Sequence, residues 1–140
     1  MTRTGLAAAR QSNAQLAGIV PLVDDELPSA CAGWRVIDVL AHLAALAHEA
    51  VCPPQPDSTW PKNRERYHDL RVDQRRGWSH AEVIDEWHRY APQQLDLLEA
   101  GQQPPQSMQP VAVPGLGIYP EHLLANTNTK LDSQFRLRRL

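Results

Sequence analysis

The segment Val36-Ile37-Asp38-Val39-Leu40-Ala41-His42-Leu43-Ala44-Ala45-Leu46-Ala47-His48-Glu49-Ala50-Val51 repeats its apolar residues at helical spacing. Val36, Val39, Leu40, Leu43, Leu46, Ala47, Ala50 and Val51 share one broad face, so the segment is expected to be an amphipathic helix with that face buried. Gly33 interrupts the chain before it. Pro53-Pro54 stops it, because proline lacks the amide and disfavours helical geometry in the residue ahead.

Toward the N-terminus, residues 3–25 carry a second stripe: Leu6, Ala9, Leu16, Ile19, Val20 and Val23. Pro21 should kink this helix or end it near Val20. Toward the C-terminus, residues 53–77 are Pro-rich and then densely charged. They read as a long connection, with a short helix around Arg64–Arg71 as an option. The third helix opens at Ser79, where Ser79-x-x-Glu82 fits a reciprocal capping box. Val83, Trp87, Tyr90, Ala91, Leu95 and Leu98 continue its apolar face; Pro92 should bend it and Gly101 end it. Residues 102–117 read as loop. A fourth helix is expected from Pro120, through Leu123, Leu124, Leu131 and Phe135. No segment reads as a convincing strand. Four helices with one stripe each bury them economically against one another, which predicts an all-α four-helix bundle with a long loop between helices 2 and 3. At 140 residues the chain is expected to be a single domain, residues 1–140.

Composition excludes several classes. Fourteen Lys and Arg against sixteen Asp and Glu leave a net charge of −2, which gives no general attraction to nucleic acid or anionic membrane. No apolar run reaches the roughly 18 residues of a membrane span. The first ten residues lack the apolar core of a signal peptide, and two cysteines are too few for a disulfide scaffold, so a reducing cytoplasm is the expected setting. Cys31 and Cys52, at either end of one helix, are expected to be free thiols and not a zinc-binding pair.

His42 is the residue most suggestive of chemistry. It lies at the edge of the buried stripe, with Asp38 one turn before it and Glu49 two turns after on the same border. An imidazole there can point into a bundle while a carboxylate sets its tautomer, as around bundle metals. It can equally be a histidine hydrogen-bonded to a neighbour at a helix interface. The remaining histidines are less pointed. His48 falls on the polar side, His68 in the charged connection, His80 and His88 beside a helix with a complete apolar face, and His122 in the first turn of the fourth helix. The run Arg71–Arg76 with Trp78 could receive an anion, but interleaved charges more often make a solvated surface. The basic C-terminus, Arg136 to Leu140, suits the negative end of the last helix or a frayed tail.

Two stretches carry a resemblance. Val23 to Ala44, with its Gly33-Trp34 turn leading into Val39-Leu40-Ala41-His42-Leu43-Ala44, resembles the signature of the mycothiol-dependent maleylpyruvate isomerase N-terminal domain, within the DinB-like superfamily. Val111 to Asn126 is similar to the loop and helix start of one branch of that family. The resemblance implies a DinB-like four-helix bundle. It also implies a divalent metal, zinc first among the candidates, held by a histidine of the second helix and by a carboxylate and a histidine one turn apart on the fourth. His42 matches the first ligand. Leu131 to Arg138 aligns with the pattern Asp-x-x-x-His-Leu-Arg, making Asp132 the carboxylate, while Arg136 stands where the last histidine belongs. A guanidinium has no lone pair to give and repels a divalent cation, so an internal Asp132–Arg136 ion pair is an alternative.

By this resemblance the expected function is a metal-binding helical protein of the thiol-dependent isomerase or thiol-transferase type, with an incomplete metal site. Mycothiol or a similar low-molecular-weight thiol would be the cofactor, and its partners would be that thiol and a small-molecule substrate. The alternative is a non-catalytic member that binds a small molecule or a protein, including a homodimer built on Trp60 and Trp78. Larger family members continue into a second domain beyond the point where this chain ends, so a short member, a fragment and a degenerate copy are all open.

Overall fold

The computed structural model describes residues 3–55, 57–102, 108–113 and 117–120. Its elements are α1 (Arg3–Ile19), a single 3-10 turn (Val20–Leu22), α2 (Val36–Val51), α3 (Arg64–Asp73), α4 (His80–Ala100), β1 (Pro110–Val113) and β2 (Gly117–Pro120). The chain is thus predominantly helical, as expected, with four described α-helices. They are not quite the four anticipated: α3 lies inside the connection that was read mainly as loop. The helix expected from Pro120 falls on residues 121–140, outside the described residues. Residues 110–120 correct the expectation that the chain has no strand. β1 and β2 pair antiparallel, Pro110 opposite Pro120 and Val113 opposite Gly117. The β-branched Val111 and Val113 favour this pairing.

Two compact units are distinguished, one from residues 24–94 and the other from the chain on either side. In the flanking unit, Leu6 and Ala9 of α1 form a small apolar cluster with Leu95 and Leu98. Arg10 pairs at its edge with Glu99 at 2.5 Å and Asp96 at 3.4 Å. Pro21 ends α1 as anticipated: the α-helix stops at Ile19 and one 3-10 turn carries Val20 into the interior.

The central unit holds α2, α3 and most of α4. Its entry is a small extended loop: the Ser29 amide donates to the Trp34 carbonyl at 2.9 Å, and Val36 to Leu27 at 2.9 Å. Gly33 turns this loop with φ +78°, the only positive φ among the described residues. No atom lies within 4 Å of where its Cβ would stand, so the need for glycine is one of backbone conformation. Gly33→Ala is expected to destabilise the fold by about 1–2 kcal/mol and Gly33→Asn by less. Urea denaturation checks this, and an alanine variant as stable as the parent would refute the left-handed turn.

α2 begins and ends where the sequence places it. Its buried surface is wider than the predicted stripe. Ile37, Asp38, Leu40, Ala41, His42, Ala44, Ala45 and Ala47 are buried, while Leu43 and Leu46 are only partly covered and Ala50 is exposed. Alanines at these positions let neighbouring backbone approach closely, and the larger leucines fill the margins. α3 packs along α2, capped by Asn63, whose Oδ1 accepts from the Arg66 amide at 3.1 Å. The Ser79–Glu82 box is present: Ser79 N–H donates to Glu82 Oε2 at 2.7 Å, and Ser79 Oγ accepts from the Glu82 amide at 3.3 Å. α4 continues through Pro92 to Ala100. Gly101 follows it without the left-handed φ of a glycine cap. No described helix is long and apolar enough to cross a membrane.

Candidate functional site

His42 sits in the middle of α2 with 5 % of its surface exposed. Two aromatic rings enclose it. The Trp34 ring centre is 5.2 Å away, and the His68 ring, from α3, is 4.6 Å away and nearly perpendicular at 80°. Local sequence explains the enclosure. The Gly33 turn brings Trp34 back against α2, and the Trp34 indole Nε1–H donates to Asp69 Oδ1 at 3.0 Å. That bond ties the turn to α3 and sets the neighbouring His68 against His42.

His42 Nδ1 is buried and has no hydrogen-bond partner among the described residues. This corrects the expectation that Asp38 or Glu49 sets its tautomer. Asp38 is committed to the helix entry, accepting from the Arg35 amide at 2.8 Å and pairing with the Arg35 guanidinium at 3.2 Å. Burial pushes the Asp38 carboxyl up, and the Arg35 bonds with the Arg76 charge outweigh it, so its pKa falls below the usual range. Glu49 accepts from the Tyr67 hydroxyl at 3.1 Å and pairs with Arg71. Spacing put these carboxylates on the border beside His42, but arginines from the entry loop and α3 claim both.

Among the described residues no carboxylate is bonded to His42 Nδ1, and the ring is held neutral. Burial first, then the His68 ring and the Arg64 charge, push its pKa down to about 3. Burial and Arg64 likewise lower His68. Arg64 donates its Nε–H to His68 Nε2 at 3.0 Å. That bond places the His68 lone pair on Nε2 and its proton on Nδ1. By sequence His68 falls in the charged connection with its optional short helix, and the helical spacing Arg64-x-x-x-His68 is the signal that puts it on α3.

A second polar cluster lies farther along α2. Arg75 grips Glu86 through two bonds, 2.6 Å from Nε and 2.8 Å from Nη2, and both residues are 8 % exposed. His48 Nδ1 is 2.7 Å from the same carboxylate, and its ring stacks on Tyr90 at 4.2 Å. Burial raises the Glu86 carboxyl, but the Arg75 and His48 bonds more than reverse this and leave its pKa lowered. Arg71 is also buried, with its guanidinium 4.7 Å from the ring centres of both Trp60 and Tyr67. The stretch expected to be solvated surface is therefore built partly into the interior, because α2 and α4 present carboxylates to two of its arginines. His80 pairs with Asp25 at 2.6 Å. Cys31 is half-buried and Cys52 exposed, both free as expected.

Residues 6–126 match the family described as the mycothiol maleylpyruvate isomerase N-terminal domain. The chain belongs to this family. No curated protein and no solved structure gives a match. The match spans most of the chain and includes the Gly33-Trp34 turn and His42. It ends before Asp132 and Arg136, which lie outside the described residues. Among the described residues, no three His, Cys, Asp or Glu side chains gather closely enough to hold a metal ion. The described part of the site therefore offers imidazole nitrogen alone, two rings in contact, one with an unpartnered buried atom. A neutral imidazole is a ready ligand for zinc and for other borderline divalent ions, so the donors present suit such a metal without completing its shell.

Proposed function

We propose that this domain binds a divalent metal ion, zinc first among the candidates, through His42. We further propose that it serves a thiol-dependent isomerase or thiol-transfer reaction, with mycothiol or a related low-molecular-weight thiol as cofactor. The observation that carries the reading is the buried Nδ1 of a neutral His42, which has no partner among the described residues. An unmet polar atom in the interior costs about 1–3 kcal/mol, and a bound ligand at that nitrogen would remove the cost. Asp132 is the carboxylate ligand that the family pattern suggests, and Arg136 in place of the second histidine makes weak catalysis the expectation. When bound, the metal would act as a Lewis acid, lowering the pKa of a thiol or polarising a substrate carbonyl. The chain's own residues supply the rest. Trp34 walls the imidazole on one side, His68 on another, and Asp69 holds Trp34 in place. We assign the reaction to the cytoplasm, where both thiols stay reduced.

Elemental analysis of protein purified without chelator tests this reading. About one divalent ion per chain is expected, and none in His42→Ala. A parent chain that holds no metal even after zinc is added back refutes it.

A second reading is a non-catalytic small-molecule binder. It is favoured by an open cleft of about 320 Å³ lined by His48, Trp78, Glu86, Arg89 and Tyr90. It predicts a melting temperature indifferent to both chelator and zinc.

A further inference from the structure

We propose that His48 is the general base of a second site, taking a proton from a small, neutral, planar molecule bound in the cleft beside Trp78 and Tyr90. The site is distinct from His42, which does not line that cleft, and it goes beyond the binding role given to the cleft above.

The base is fixed before any ligand arrives. His48 Nδ1 stands 2.7 Å from Glu86 Oε1. Arg75 grips both oxygens of that carboxylate, at 2.6 and 2.8 Å, so Glu86 stays ionised and can only accept hydrogen bonds. The lowered pKa of Glu86 agrees with this. Nδ1 therefore carries the proton, and the lone pair of the neutral ring lies on Nε2. Tyr90 fixes the plane of the ring, stacked at 4.2 Å and within 3° of parallel. Nε2 itself has no partner among the described residues. The His48 side chain is 37 % exposed and lines the open cleft of about 320 Å³.

The cleft also supplies what such a ligand needs. Trp78 is 40 % exposed and offers an aromatic surface, although Arg75 lies over its ring at 5.2 Å. Glu82 is spent on the Ser79 cap, accepting from its amide at 2.7 Å. Asp85 remains on the rim and disfavours a ligand that arrives as an anion, which selects a neutral one. Arg89 is exposed and pairs with no carboxylate among the described residues, so its guanidinium is free to take the anion that proton loss creates. In the step itself, the substrate's proton passes to Nε2 and its electron pair stays on the substrate. Glu86 stabilises the imidazolium through Nδ1–H, and the proton later returns to product or water. No Ser, Thr or Cys is among the described lining residues, so the site transfers protons and forms no covalent intermediate.

A histidine that only supported Glu86 could be replaced by an amide, since either donates one hydrogen bond. The test uses that equivalence. Nitrobenzisoxazole is the probe: removal of its ring C–H proton breaks the N–O bond and releases a coloured nitrile phenolate, with no other reactant. The full chain, in the presence of chelator, is expected to open it with saturation kinetics. His48→Gln keeps a donor for Glu86 and should lower kcat on the order of a hundredfold. Trp78→Ala should raise KM with kcat largely kept. His80→Gln should change neither, because His80 is held by Asp25 at 2.6 Å but does not line the cleft. Equal rates for the parent and His48→Gln overturn the proposal, and so does an equal loss in His80→Gln. Should His48→Gln fail to fold, phenacyl bromide decides on the parent. A histidine nitrogen displaces bromide to form an N–C bond, and Nε2 of His48 is expected to react first among the six histidines. Faster alkylation of any other histidine overturns the proposal.

Discussion

Acidification from pH 7 to pH 4 is expected to cost the fold about 3 kcal/mol through His42 alone. The unfolded chain takes up a proton on this imidazole near pH 6.5. The folded chain resists until about pH 3, because the ring is buried beside His68 and near the Arg64 charge. Between those values the unfolded state binds more protons, so stability is intact above pH 6.5 and drains away as pH falls toward 3. Carboxylates with lowered pKa values, Asp38 and Glu86, add their own loss at more acid pH. His42→Leu isolates the histidine. Leucine has a similar volume and no polar atom, so the variant should match or slightly exceed the parent at pH 7 and lose the part of the acid sensitivity that begins near pH 6.5. Urea denaturation at several pH values, on metal-free protein, makes the comparison. Superimposable pH profiles would show that His42 is not buried as described.

Glu86→Ala is expected to destabilise the protein by about 3–5 kcal/mol, the usual consequence of stranding one member of a buried ion pair. Arg75 and Glu86 are each 8 % exposed, and their two short bonds, together with the one to the Arg71 carbonyl, engage three of the guanidinium's five donors. Without the carboxylate, Arg75 keeps the Arg71 carbonyl at 2.9 Å and little else, and His48 loses its acceptor. A melting temperature lower by on the order of 10 °C should follow. Replacing both members, Arg75→Met with Glu86→Leu, should recover much of the loss, since the penalty lies in the unpaired charge more than in the missing attraction. A single variant within 1 kcal/mol of the parent would place this pair in solvent.

How much of this was legible in the sequence differs from residue to residue. The bounds of α2 were readable because a dense apolar period lies between Gly33 and a proline pair, all local signals. The same holds for the Ser79–Glu82 cap and for Pro21. α3 was read only as an option. Its sequence, Arg64 to Asp73, is strongly polar, and its helical state is stabilised by Asn63 at its start and by burial of Arg71 and Val72. The hairpin at residues 110–120 was missed because strands of four residues between prolines and glycines are too short to display a period.

The site divides along the same line. His42 could be picked out from a single helix, because position on a wheel needs only its neighbours at three and four residues. Its surroundings could not. Asp38 and Glu49 were the nearest carboxylates by spacing, and both are claimed by arginines: Asp38 by Arg35 in the adjoining loop, Glu49 by Arg71 on another helix. What lies against His42 is Trp34 from the entry loop and His68 from α3, 26 residues farther on. Helical periodicity and capping are local properties, so the sequence alone determined the main helices, the end of α1 at Pro21 and the identity of one candidate ligand. The partners of a buried polar group depend on which side chains reach it first across helix contacts. Only the tertiary structure could decide that His42 faces a second imidazole instead of a carboxylate, and that two arginines of a charged run end up inside.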